Sequence, residues 1–109
     1  MTTLDTNLLV RVITNDDPEQ AEKVKRLLQS DTGFVPVTVI LEAGWVLEAV
    51  YGLSPSVVAE SLRRFLGMEA IRVHQPERID QALRWYEEGL DFADAVHLAV
   101  AQDTDRMAT

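Results

Sequence analysis

The sequence predicts an α/β protein in which helices cover a short, mainly parallel sheet. Three observations predict this class. Short apolar runs that read as strands, "TTLD", "FVPV" and "AIRVH", alternate with longer segments of helical spacing. Those longer segments carry their own start and stop residues. Each strand run is followed by a helix rather than by a tight turn, which is the connection a parallel ladder requires.

"TTLD" reads as a strand entering the core, and "TNLLVRVIT" as a short helix behind it. "DDPEQAEKVKRLLQSD" is a marked helix: Asp16 or Asp17 caps it, Pro18 suits its first turn, and Glu19 and Glu22 lie near its positive end. Its apolar stripe is Ala21, Val24, Leu27 and Leu28. Gly33 breaks that pattern, and "FVPV" follows as a buried strand. Thr38 is placed to cap the next helix, "VILEAGWVLEAVYG", which ends at Gly52. "SPSVVAESLRRFLG" takes Ser54 as cap and Pro55 as its first residue. After "AIRVH" come two further helices, "PERIDQALRWYEEG" and "DFADAVHLAVAQ". The tail "DRMAT" reads as the start of a last strand, cut off at Thr109. No repeat or linker divides the chain, so residues 1–109 form one domain with a single core.

Composition narrows the function. With 47% apolar and 26% charged residues, the chain has the balance of a soluble globular protein. It has no cysteine, which excludes disulfides, thiolate nucleophiles and zinc–thiolate sites, and fits a reducing compartment. "MTTLDT" lacks the basic and apolar regions of a signal peptide. The longest apolar stretch, "VPVTVILEAGWVLEAVYG", carries Glu42, Glu48 and a proline, so no membrane span is expected. A cytoplasmic location follows as the expectation. The net charge is −8, from 18 acids and 10 bases, which opposes indiscriminate binding to phosphate backbones. Acids on solvated helices, a basic partner, or a cluster offset by bound cations would each account for it.

The placement of particular acids is more informative. Glu42 falls in the expected first turn of a helix with almost no other polar residue. A helix that apolar is expected to be buried on most sides, where an unpaired carboxylate costs several kcal/mol or neutralises itself. The helix dipole returns only about 1 kcal/mol. In "DFADAVHLAVAQ", Asp91, Asp94 and His97 recur every three residues and form one polar ridge. Asp91 also reads as an N-cap with Asp94 in the capping-box position, and His97 as a hydrogen-bonded boundary residue. Asp5 ends the first strand. In a parallel α/β sheet, strand carboxyl ends and helix starts share one edge, where ligands bind. Asp5, Glu42, Asp91 and Asp94 all occupy such positions. Clustered carboxylates suit hard cations such as Mg²⁺ or Mn²⁺, a device used for phosphodiester hydrolysis.

Three segments, "LDTNLL", the glutamate of "VILEAGWVL" and "DFADAVHLA", together resemble PIN-domain ribonucleases, in particular the VapC toxins of bacterial and archaeal toxin–antitoxin pairs. The resemblance spans essentially the whole chain in order and spacing. It implies a three-layer α/β/α fold and an acidic metal site of Asp5, Glu42 and Asp94. Asp91 would be an auxiliary ligand, with Thr6 and Asn7 supporting Asp5. It further implies Mg²⁺ or Mn²⁺, an RNA substrate, a homodimer, and a small antitoxin covering the site. The family pattern places one more Asp after a Thr closing the last strand. Here the chain stops at Thr109, and Asp103 and Asp105 precede that strand, so the domain reads as C-terminally truncated just short of its fourth acid. Such a chain is expected to fold but to cleave slowly.

A PIN-like interaction or regulatory domain without catalysis is the rival reading. A receiver-type phosphoryl-transfer domain fits less well, because no Lys stands near the late strand. For a nuclease, the bases available to meet phosphates are Arg11, Lys23, Lys25, Arg26, Arg63, Arg64 and Arg72. Trp45, Tyr51, Leu53 and Phe65 add apolar surface that predicts a self-complementary helical interface.

Overall fold

The computed structural model describes residues 1–15 and 17–101. Its elements run β1 (Thr2–Thr3), α1 (Thr6–Thr14), α2 (Pro18–Ser30), β2 (Gly33–Val35), α3 (Val37–Ala49), α4 (Pro55–Leu66), β3 (Ile71–Val73), α5 (Pro76–Glu87) and α6 (Phe92–Val100). The α/β expectation is met: β2 is the central strand of a three-stranded parallel sheet, ordered β1-β2-β3. Thr2 pairs with Gly33 and Thr3 with Phe34, while Phe34 pairs with Arg72 and Val35 with Val73. Parallel strands need crossovers, which are the helix pairs α1–α2 and α3–α4.

Local chemistry accounts for most helix starts. The side chains of Asp5, Asp17, Ser54 and Asp91 each accept a backbone N–H in the first turn behind them. Pro18, Pro55 and Pro76 stand in first turns, where a missing N–H costs nothing. The start of α3 departs from expectation. Pro36, not Thr38, is its N-cap, and no side chain caps it. Proline's φ of −64° already suits helix entry, and the Pro36 carbonyl accepts from Val39 and Ile40, so the helix begins before Thr38. The strand expected through "FVPV" therefore ends at Val35. Asp16, Asp103, Asp105 and the strand expected in "DRMAT" lie outside the described residues.

Leu4, Leu9, Val35, Ile40, Leu47, Val58, Leu62 and Val96 are fully buried and join sheet to helices. On the sheet, the thin Gly33 lets the chain pass Leu4, whose Cδ1 would stand 2.9 Å from an added Cβ. At the other end of β1, Asp31 receives the Met1 amine at 2.8 Å and the Thr2 hydroxyl at 2.8 Å. The amine is the main cause that holds the Asp31 carboxyl at about 2, below the usual 3.8.

Packing between α3 and α6 depends on Gly44, which is buried. A Cβ there would overlap the ring of Phe92 in the first turn of α6. The same ring meets Tyr86 of α5 edge-on, with centroids 5.0 Å apart. Backbone and ring can approach this closely only without a side chain at position 44. Gly44→Ala should therefore lower stability by about 1–3 kcal/mol, despite the gain in helix propensity. Urea unfolding of the two proteins measures this, and an unchanged or higher midpoint would refute the packing account.

Candidate active site

Asp5 follows directly on Leu4, whose N–H donates to the Phe34 carbonyl and extends the ladder by one bond. One residue later the chain turns into α1, with Asp5 Oδ1 accepting from Leu8 N–H at 2.9 Å. The carboxylate is exposed at the carboxyl edge of the sheet. Thr6 opens α1, and its hydroxyl donates to Glu42 Oε2 at 3.1 Å, across 36 residues of sequence. The resemblance implied that Thr6 supports Asp5; its hydroxyl instead reaches the carboxylate of α3. Asn7 is exposed beside it.

Glu42 differs from expectation in two ways. It lies in the second turn of α3, because the helix begins at Val37, and its side chain is exposed rather than buried. The surplus of apolar residues misled the periodicity argument. Trp45 is 65% exposed, so α3 has a solvent face despite its apolar composition. Burial cost gives no reason to expect a ligand at Glu42.

On α6, Asp91 is the N-cap, accepting from the Asp94 N–H at 3.2 Å through Oδ2. Both carboxylates are exposed, as is His97 one turn on, so the ridge predicted every three residues forms. Asp91 also faces α3. Together with Leu41, Trp45, Glu48, Ala49, Phe92 and Ala93 it lines a groove of about 370 Å³. Leu41, Trp45 and Glu48 fall on one side of α3 by their helical spacing.

Glu48 is a residue that sequence reasoning missed. Its Oε2 accepts the Tyr86 hydroxyl at 2.6 Å. Burial pushes the Tyr86 hydroxyl pKa upward, and the charges of Glu48 and Asp91 push it further. The available signal was the need of a buried tyrosine for a polar partner, but nothing local points 38 residues away. Asp91 and Glu48 thus crowd negative charge at the mouth of the groove, with no ion pair to either among the described residues.

The donors are hard oxygens throughout, which fits Mg²⁺ or Mn²⁺ in chemistry. Their placement falls short of a ligand shell: among the described residues, no three His, Cys, Asp or Glu side chains stand together to hold an ion. Thr6 ties Glu42 to the segment of Asp5, Gly44 admits Phe92 and so brings Asp91 beside α3, and the two pairs form no common group among the described residues.

Bases are unevenly committed. Arg63 pairs with Glu87 at 2.6 Å and Asp80 at 3.5 Å, Arg84 with Asp80 at 2.7 Å, and Arg64 with Glu60 at 3.0 Å. Arg72 donates to the carbonyls of Glu69 and Ile71. Arg11 on α1 and Lys23, Lys25 and Arg26 on α2 are exposed and have no ion pair among the described residues.

A short parallel sheet with exposed acids where its strands give way to helices is the frame on which α/β proteins bind their ligands. Comparison with known families makes this specific: the PIN domain matches residues 2–107, so the chain belongs to the PIN domain family. PIN domains are in general nucleases, and they typically use divalent metal ions. No curated protein and no solved structure matches the chain. No helix among the described residues is long and apolar enough to cross a membrane.

The Tyr86–Glu48 contact carries a pH prediction. A hydroxyl whose pKa is raised in the fold contributes stability below its ordinary value of 10, and that stability is lost as pH rises above it. Tyr86→Phe should cost about 1 kcal/mol at neutral pH and flatten the loss of stability above pH 10. Denaturation curves taken at neutral and alkaline pH test both; an identical alkaline slope in the variant would contradict the assignment.

Proposed function

We propose that this PIN domain is an endoribonuclease that hydrolyses RNA phosphodiester bonds, and the toxin of a toxin–antitoxin pair. The observation that carries the reading is the Thr6–Glu42 hydrogen bond. It joins the "DTN" segment to the glutamate of α3, two of the three segments by which the chain resembles the VapC toxins. Asp5, Glu42 and Asp94 are the proposed catalytic carboxylates, with Asp91 as auxiliary and Thr6 and Asn7 in support. They would hold Mg²⁺ or Mn²⁺. Such an ion, when bound, activates water and stabilises charge on the phosphate. Asp5 and Glu42 would face the scissile phosphate from the sheet edge, and Asp94 from the start of α6.

RNA must also be held against a net charge of −8. Of the seven candidate bases, Arg63 and Arg64 are spent on acids and Arg72 on carbonyls. Arg11, Lys23, Lys25 and Arg26 are the ones we assign to phosphates. Arg11 is nearest in sequence to the acids, one helical turn beyond Asn7 on α1.

Expected partners are a small antitoxin covering the acids and a second copy of the chain, in the cytoplasm. The proposed dimer face is narrower than expected: Trp45 and Tyr51 are exposed, while Phe65 is buried and Leu53 packs against the core.

A second reading, a PIN domain that binds a partner without cleaving, is favoured by one observation: no three acids among the described residues form a ligand group. One assay separates the two. With Mn²⁺ present, the chain should cleave single-stranded RNA, lose that activity in chelator, and lose it in Asp5→Asn and Asp94→Asn. Binding of the RNA should weaken with salt, and Lys23→Gln with Arg26→Gln should reduce the logarithmic salt slope by about 1.4. Cleavage that persists in both Asp variants would reject this site, and no cleavage under any condition would select the second reading.

A further inference from the structure

Thr6 spends its hydroxyl on neither of the tasks its position offers. As the first residue of α1 it could cap the helix, but Asp5 already does so through Leu8 N–H. It could bond back to its neighbour Asp5, but the bond goes to Glu42 at 3.1 Å. Threonine is branched at Cβ and restricted in χ1, so its hydroxyl is aimed by the backbone. Glu42 is the opposite: exposed, with three rotatable bonds and little of its own packing to fix it. Two carboxylates drawn to one edge repel each other, and rotation into solvent would relieve that repulsion. α1 packs on α3, and the buried residues of both helices, Leu9 and Val10 on one and Ile40, Ala43 and Leu47 on the other, belong to the same core. The hydroxyl therefore sits at a fixed height on α3, beside the glutamate.

We propose that Thr6 is a positioning residue: it holds the Glu42 carboxylate at the Asp5 edge, and acts in catalysis only through Glu42. The inference rests on the nuclease reading above. Its structural half, the coupling of the two side chains, does not.

The test is a pair of double-mutant cycles with Thr6→Val and Glu42→Gln, with Thr6→Ser as the rescue. The first cycle reads unfolding in chelator. Thr6→Val should change the unfolding equilibrium about two- to fivefold in the native background and much less in the Glu42→Gln background. The second reads RNA cleavage at saturating Mn²⁺. There Thr6→Val should lower kcat about tenfold with KM for RNA within about twofold, since a charge-assisted bond is worth about that much and RNA is held elsewhere. Thr6→Ser should restore the rate, and Thr6→Val should add nothing to Glu42→Gln. Additive effects in both cycles would overturn the proposal. Coupled stability with an active native enzyme whose kcat ignores Thr6→Val would overturn the positioning role and leave the nuclease reading intact. Coupled stability with an inactive native protein would overturn the nuclease reading, and the catalytic half of the proposal with it.

Discussion

Everything at the acidic edge depends on how closely α3 can be approached. The helix carries no side chain at position 44, and Phe92 fills that space with its ring. This one absence brings the start of α6, and so Asp91, against α3. On another side of the same helix, Glu42 accepts the Thr6 hydroxyl and ties α1 to it. A third contact, Tyr86 to Glu48, draws in α5. α3 is the hub to which three segments distant in sequence are fastened, and each fastening uses a different chemistry. The first is steric, the second a bond to an exposed charge, and the third a bond from a buried hydroxyl.

The negative charge of the chain follows from this organisation. Asp5, Asp17 and Asp91 cap helices, where partial positive charge and unpaired N–H groups favour a carboxylate. Asp80 and Glu87 answer Arg63 between α4 and α5, and Arg84 shares Asp80. Exposed pairs of this kind contribute less than about 1 kcal/mol each, so they decorate the fold rather than hold it. Glu42, Glu48, Asp91 and Asp94 stand exposed along α3 and the start of α6, without an ion pair among the described residues. Capping and acid clustering are compatible here, because a cap uses one carboxylate oxygen and leaves the other.

How much of this was legible in the sequence depended on range. Asp17, Ser54 and Asp91 were readable as caps because a cap and its N–H are three residues apart. The parallel sheet was readable because strand runs alternate with helices. Thr38 is not the cap because Pro36, two residues earlier, already has the dihedral for helix entry, a preference that hydrophobic pattern does not register. Glu42 was misjudged for a more general reason. Periodicity detects a stripe, and α3 is apolar on its exposed side as well: Trp45 stands in solvent on a helix whose composition predicts burial on most sides. The energetic argument for this acid fails, because its side chain is exposed. Contacts between distant segments, Thr6 to Glu42 and Tyr86 to Glu48, left no local trace.

The central claim is that carboxylates from the end of β1, from α3 and from the start of α6 act on one ion. Manganese is paramagnetic and broadens the signals of nuclei near it, so substoichiometric Mn²⁺ added to the isotopically labelled protein reports its own position. The account predicts that amides of Asp5, Thr6 and Asn7, those around Glu42, and those of Asp91 through Ala95 broaden together at the same low Mn²⁺ concentration. It further predicts that Asp5→Asn abolishes the effect in all three segments at once. Broadening confined to Asp91 and Glu48, or scattered over the acids of α2 and α5, would show that these segments are neighbours in the fold but not one site.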